Sequence, residues 1–176
     1  MHALIVGDRG VGKSTLIRRV LTELNRPVFG YETRKEVQLE DPVRGCPIYI
    51  YDAGKPHCRT PENLIGYHKE PDAGAVTAAF DRYAPKLLAP VPCNAVVELD
   101  EIGFLEAGAA TFCQAVLQLL DGSRPVIAAV KNKDIPFLCA LRAHPNARCF
   151  YITPENRDTL YGEVLEFMKL QLEETP

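Results

Sequence analysis

The chain has 176 residues, 47% of them hydrophobic and 24% charged, with a formal net charge of -3. Such a composition suits one ordinary globular domain over residues 1–176, large enough for a core of its own, and its balance gives no electrostatic ground for nucleic acid or an anionic membrane. No apolar run is long enough to span a bilayer, strand-forming residues start so early that no signal peptide is expected, and six cysteines without C-x-x-C spacing read as reduced, buried thiols of a cytoplasmic protein.

Ala3-Leu4-Ile5-Val6 is continuously apolar, as a strand covered on both faces in a parallel sheet is. The next run, Gly7-Asp8-Arg9-Gly10-Val11-Gly12-Lys13-Ser14, fits G-x-x-x-x-G-K-[ST], the phosphate-binding loop. Thr15 to Leu24 then carries Leu16, Ile17, Val20, Leu21 and Leu24 at helical spacing. Strand, glycine loop and helix thus follow in the order the motif needs. Glycines let successive N–H groups turn inward, and the helix N-terminus adds its positive dipole. Residues Gly7 to Thr15 are therefore expected to bind a nucleoside phosphate, with Lys13 on the β- and γ-phosphates and the Ser14 hydroxyl on magnesium.

Val37-Gln38-Leu39 and Ile48-Tyr49-Ile50-Tyr51 read as an antiparallel hairpin around the turn chemistry of residues 41–45. Residues 52–74, rich in proline and glycine, read as a long loop of the kind that forms lids or binding surfaces. Helices are expected over 76–88, 112–120, 135–142 and from Thr153-Pro154 to about Glu173, with Thr153 as N-cap of the last. Strands are expected over 94–100, 125–130 and 148–152. This alternation predicts an α/β fold, a mainly parallel sheet with helices on both faces and right-handed crossovers, plus the antiparallel hairpin.

A phosphate loop needs an acidic strand end to hold the metal. Asp100 closes one apolar strand and Asp52 another. Glu101 directly follows Asp100, and that pair has a mechanism: the aspartate orients magnesium while the glutamate polarises the attacking water. Asp52 opens a GTPase-switch reading with Thr33 as its threonine. However, Asp52-Ala53-Gly54 is one residue short of D-x-x-G, and Asn132-Lys133-Asp134 is one short of the guanine-reading N-K-x-D.

Asp100-Glu101-Ile102-Gly103-Phe104-Leu105-Glu106 resembles the D-E-I-G-x-x-E stretch of the small nucleoside-triphosphatases related to the cancer-related nucleoside-triphosphatase. Thr153-Pro154-Glu155-Asn156-Arg157 resembles that family's T-x-E-N-R segment, Gly30-Tyr31-Glu32-Thr33 echoes its G-F-Y-T, and the phosphate loop lies in the same order. The chain departs from it between Tyr51 and Gly74, where a proline-rich loop stands in place of the family's hairpin and its G-x-Y-x-V strand. The resemblance implies a three-layer, RecA-like P-loop fold and slow, magnesium-dependent hydrolysis of several nucleoside triphosphates.

On this reading Lys13 and Glu101 are catalytic, Ser14 and Asp100 hold Mg2+, and Arg157 is the first choice for the charge on the γ-phosphate, with Arg9, Arg34, Arg59 and Lys131 open. Glu106 either braces the loop after Asp100 or is a plain surface carboxylate. A nucleotide-dependent binding module and a kinase acting on a small acceptor are the alternatives.

Overall fold

Apolar periodicity divides the chain into alternating strands and helices, and the computed structural model, which describes residues 1–69 and 73–174, has that alternation. In chain order the elements are β1 (His2–Gly7), α1 (Lys13–Leu24), β2 (Val28–Lys35), β3 (Pro47–Asp52), β4 (Leu64–Tyr67), α2 (Ala73–Leu87), β5 (Val96–Ile102), α3 (Ala110–Asp121), β6 (Val126–Lys131), α4 (Pro136–Arg142), β7 (Ala147–Tyr151) and α5 (Arg157–Glu173). One sheet carries the strands in the order β4-β3-β2-β5-β6-β1-β7. The run from β2 to β7 is parallel, while β3 and β4 are added antiparallel at one edge.

Side chains alternate between the two faces of each strand, and this builds two cores. On one face Leu4, Val6, Leu99 and Val130 pack with Phe80 of α2, Phe112 of α3 and Leu138 of α4. On the other, Ala3, Ile5, Ile127 and Ala129 pack with Ile17 and Val20 of α1 and Val164 and Met168 of α5. The sheet lies between two helical layers. Among the described residues no helix is long and apolar enough to cross a membrane.

Four expectations need correction. Residues Val37–Leu39 form a 3-10 turn, and the strand that pairs with β3 is β2, eight residues long with Thr33 opposite Ile50. Its charges and Gly30 hide it from a periodicity reading. Gly30 has φ 102°, and a Cβ there would stand 2.0 Å from the Glu98 carbonyl oxygen, so only glycine fits. The segment read as a long loop contains β4, a four-residue strand antiparallel to β3, so the strand thought missing before the second helix is present. The last helix starts at Arg157, not Pro154. There Asn156 holds the preceding turn, its Oδ1 accepting from the Thr153 N–H at 2.8 Å while its Nδ2 donates to the Tyr151 carbonyl at 2.9 Å. Finally, all six cysteines are free thiols, but Cys58, Cys93 and Cys139 are exposed rather than buried.

Candidate active site

The fold brings the ends of β1, β5 and β6 to the N-terminus of α1. Gly10 and Gly12 take φ of 83° and 104°, the left-handed region that lets the loop curl. Gly12 is also the N-cap of α1, and no side chain caps that end. The first N–H groups of α1 are left pointing at whatever the loop encloses.

Lys13 is 5% exposed. Its Nζ donates to the Gly7 carbonyl at 3.0 Å and the Asp8 carbonyl at 2.9 Å, and it pairs with Glu101 Oε1 at 2.9 Å. The other carboxylate oxygen of Glu101 stands 3.6 Å from Lys131 Nζ. One residue back, Asp100 Oδ1 accepts the Ser14 hydroxyl at 2.9 Å. Two residues adjacent in sequence thus contact two residues adjacent in the phosphate loop. Thr33 of β2 closes the arrangement: its hydroxyl accepts the Glu101 N–H at 3.3 Å and donates to the Asp100 carbonyl at 3.4 Å.

Burial pushes the Asp100 carboxyl above its ordinary range, with the Ser14 hydroxyl pulling the other way. Glu98, two residues upstream in β5, is raised to about 8 by burial and then by Glu32 and Asp100. Glu32 lies opposite Asp100 in the β2–β5 register and is itself paired with Arg34. Glu32 and Asp100 thus disfavour the charged form of Glu98, but among the described residues no three such side chains group as a metal site. Glu106 is not a surface carboxylate: it is 4% exposed, and its Oε2 accepts the Gly103 N–H at 2.7 Å, bracing the turn after β5. Burial raises it to about 7.

The rival residues point elsewhere. Asp52 accepts from the Tyr83 hydroxyl at 2.8 Å and pairs with Lys55 and Lys86, both at 3.1 Å. Its strand runs antiparallel, which carries it away from the phosphate loop. Asp134 pairs with Arg142 of α4 at 3.0 Å, so the acid of the shortened guanine motif is turned toward its own helix.

Two cavities flank the loop. One of about 470 Å³ contains Glu101 together with Asp8, Arg9, Thr33 and Lys131. The other, about 150 Å³, lies on the far side of the loop between Gly12, Thr15, Arg19 and Arg157. Arg157 is therefore beside the phosphate loop but outside the cavity of Glu101, which is lined instead by the cations Arg9, Lys35, Lys131 and Lys133. Thr33 and Lys131 are the residues that sequence reasoning weighed without assigning. The anomaly that marks Glu98 is a glutamate inside an apolar strand.

Comparison with known proteins gives a consistent result. The family model described as NTPase matches residues 2–165. The nucleoside-triphosphatase THEP1 of Aquifex aeolicus is 27% identical over 182 aligned positions, covering 96% of this chain and 99% of that protein. The cancer-related nucleoside-triphosphatase homolog of Mus musculus is 27% identical, covering 93% of this chain and 94% of its own length. Among solved structures, the crystal structure of THEP1 from Aquifex aeolicus superposes with a TM-score of 0.65 at 24% identity, covering 96% of this chain and 99% of that one. A human cancer-related nucleoside triphosphatase, solved in solution, gives 0.64 at 24% identity, with coverage of 96% and 97%. At those identities the two structures speak for the fold.

Proposed function

This chain belongs to the NTPase family, and we propose that it hydrolyses nucleoside triphosphates to the diphosphate and phosphate, using Lys13, Ser14, Asp100 and Glu101. One observation carries the reading: Glu101 Oε1 stands 2.9 Å from Lys13 Nζ while its neighbour Asp100 stands 2.9 Å from the Ser14 hydroxyl. That arrangement gathers a phosphate grip, a metal-type oxygen pair and a base at one point.

The backbone from Gly7 to Thr15 cradles the phosphates, with the α- and β-phosphates on the N-terminus of α1 and the γ-phosphate toward Lys13. Ser14 and Asp100 supply the hard oxygen donors that magnesium takes. Bound there, Mg2+ would neutralise phosphate charge. Lys13 loses its pairing with Glu101 when it turns to phosphate oxygens, which frees that carboxylate to take a proton from the attacking water. Lys131 and Arg9, in the same cavity, supply positive charge at the γ-phosphate.

Arg157 lines the recess on the Thr15 side of the loop, which supports assigning it to the ribose or base rather than to the γ-phosphate. Arg19 lines the same recess, held over the Tyr161 ring at 4.3 Å and paired with Asp158 at 3.6 Å. A guanidinium face stacks on any base, which suits broad base tolerance. We place the enzyme in the cytoplasm, where its free thiols stay reduced.

Phosphate release from ATP, GTP, CTP and UTP measured side by side tests the proposal. Turnover of all four within one order of magnitude is expected, with Lys13→Ala and Glu101→Gln each lowering it by about 100-fold or more. Turnover that survives Glu101→Gln unchanged removes the base from the mechanism. Nucleotide binding with no phosphate release makes the protein a binding module instead.

A further inference from the structure

The cavity that contains Glu101 is larger than hydrolysis requires. A water molecule takes about 30 Å³, and on the placement proposed above the nucleoside lies on the other side of the loop, toward Thr15. The cavity nevertheless measures about 470 Å³, within the range of pockets that hold small organic molecules. Its far wall is apolar, made by Ile48 of β3, Ile65 and Tyr67 of β4, Val76 of α2, and Phe104 and Leu105 after β5. Apart from the Tyr67 hydroxyl none of these side chains can bind phosphate or polarise water, while Lys35, His68, Asn132 and Lys133 line other parts of the cavity. Phe104 is 58% exposed, a large ring facing the opening, with Lys131 Nζ 4.6 Å from its centroid.

We propose that this cavity receives a second substrate, a ring-bearing alcohol, and that the chain transfers the γ-phosphoryl group of its nucleotide to that alcohol as well as to water. The inference rests on the assignment of Glu101 as the base. Two features select the class. The apolar wall, with the aromatic faces of Tyr67 and Phe104, suits a flat ring over an extended polar chain. The reacting end is a hydroxyl, because a base at Glu101 needs an attacking group with a proton to give up. In the transfer the alcohol oxygen forms a bond to the γ-phosphorus while the bond from that phosphorus to the β-bridging oxygen breaks. The bridging electrons leave on the diphosphate, and the alcohol proton passes to Glu101. Atoms and charge balance as in hydrolysis, with an ester formed in place of free phosphate.

The test uses the full chain with magnesium and ATP, adding in turn adenosine, guanosine, cytidine, uridine, pyridoxine and benzyl alcohol. Diphosphate and free phosphate are measured together. ATP alone yields them in equal amounts. With an alcohol that fits, diphosphate exceeds phosphate, and the difference is recovered as the phosphate ester. Phe104→Ala, which removes an exposed wall, and Ile48→Trp, which fills the cavity, each lower the ester-to-phosphate ratio by about tenfold. Equal diphosphate and phosphate with every alcohol overturns the proposal while leaving hydrolysis standing. An ester yield untouched by both variants also overturns it, because the alcohol then reacts outside this cavity. Ester formation with no phosphate from ATP alone would overturn hydrolysis and leave transfer in place.

Discussion

In the parallel half of the sheet, every residue from Ala3 to Val6 and from Val126 to Val130 is buried, and the helix that follows β1 begins at Lys13 with its apolar side already turned inward. At the antiparallel edge, β3 is half-buried, and the face beside it is assembled from side chains that are polar, charged or aromatic. Tyr51 donates to Glu36 at 2.9 Å and stacks on His57 at 4.2 Å between ring centroids, while Arg59 stands 3.8 Å from Glu36. The parallel half is stabilised by hydrophobic area, which is local and additive enough to show as periodicity. The edge buries Ile50 and Ile65 but adds to them polar and aromatic pairs of small energy that no periodicity announces. The proposed chemistry sits on the parallel half, where Lys13, Ser14, Asp100 and Glu101 lie at strand and helix ends. The edge supplies Thr33 and the apolar cavity wall.

The contrast is broken most strongly by comparing one side chain from each region. Phe112 of α3 is fully buried, with its ring 5.5 Å from Tyr31 and 4.9 Å from Phe80. Phe112→Ala is expected to cost about 3–5 kcal/mol of unfolding free energy in urea titration. Arg59→Ala, by contrast, removes a partly exposed ion pair and is expected to change stability by about 0.5 kcal/mol or less. Should Arg59→Ala cost as much as Phe112→Ala, the edge is not held by weak pairs and the distinction fails.

Glu106 carries the next effect, and it concerns pH. Its carboxyl is raised from 4.5 to about 7 in the folded chain, chiefly by burial. Between those values the folded chain keeps a proton that the unfolded chain has released, so folding takes up a proton. The stability from Glu106 is complete below about pH 4.5 and is lost as pH rises through 7. Glu98 acts with the same sign up to about pH 8. Thermal unfolding from pH 5 to 8 should fall more steeply for the wild type than for Glu106→Gln, which also keeps an acceptor for the Gly103 N–H. The difference at pH 8 should be on the order of 2 kcal/mol. Parallel curves would mean that Glu106 is ionised in the folded state.

Legibility followed the same division. The phosphate loop, the acid pair and the helices of the parallel half could be read because each is a short-range pattern: Gly7 to Ser14 by spacing, Asp100-Glu101 by its place at the end of an apolar strand. The β2 strand could not be read, since Glu32, Arg34 and Lys35 look like loop residues until Glu32 is seen opposite Asp100. Four residues with a glycine, as in β4, are too few to show a period. The helix starts after Asn156 rather than at Thr153 because the Asn156 side chain bonds both Thr153 and Tyr151 and fixes a turn there, without itself capping the helix, and only geometry decides this. Arg157 opens α5 and lines the recess beside the loop, and which side of the loop it lies on depends on the angle of α5 against α1, which no sequence pattern reports.

Thr33 is where the two regions meet, and it gives the smallest and sharpest test. Its hydroxyl spans the Glu101 N–H and the Asp100 carbonyl, at 3.3 and 3.4 Å. Thr33→Val keeps the shape and removes both bonds. One lost hydrogen bond of about 1 kcal/mol lets the acid pair wander, so kcat for NTP hydrolysis should fall about fivefold to tenfold. KM should hold, because the phosphate grip is intact. Thr33→Ser, which restores the hydroxyl without the methyl group, should recover most of the rate. A purely structural role would instead lower the unfolding temperature of Thr33→Val and leave kcat per folded molecule unchanged. A rise in KM at constant kcat would make Thr33 a substrate contact of the edge rather than a brace on the parallel half.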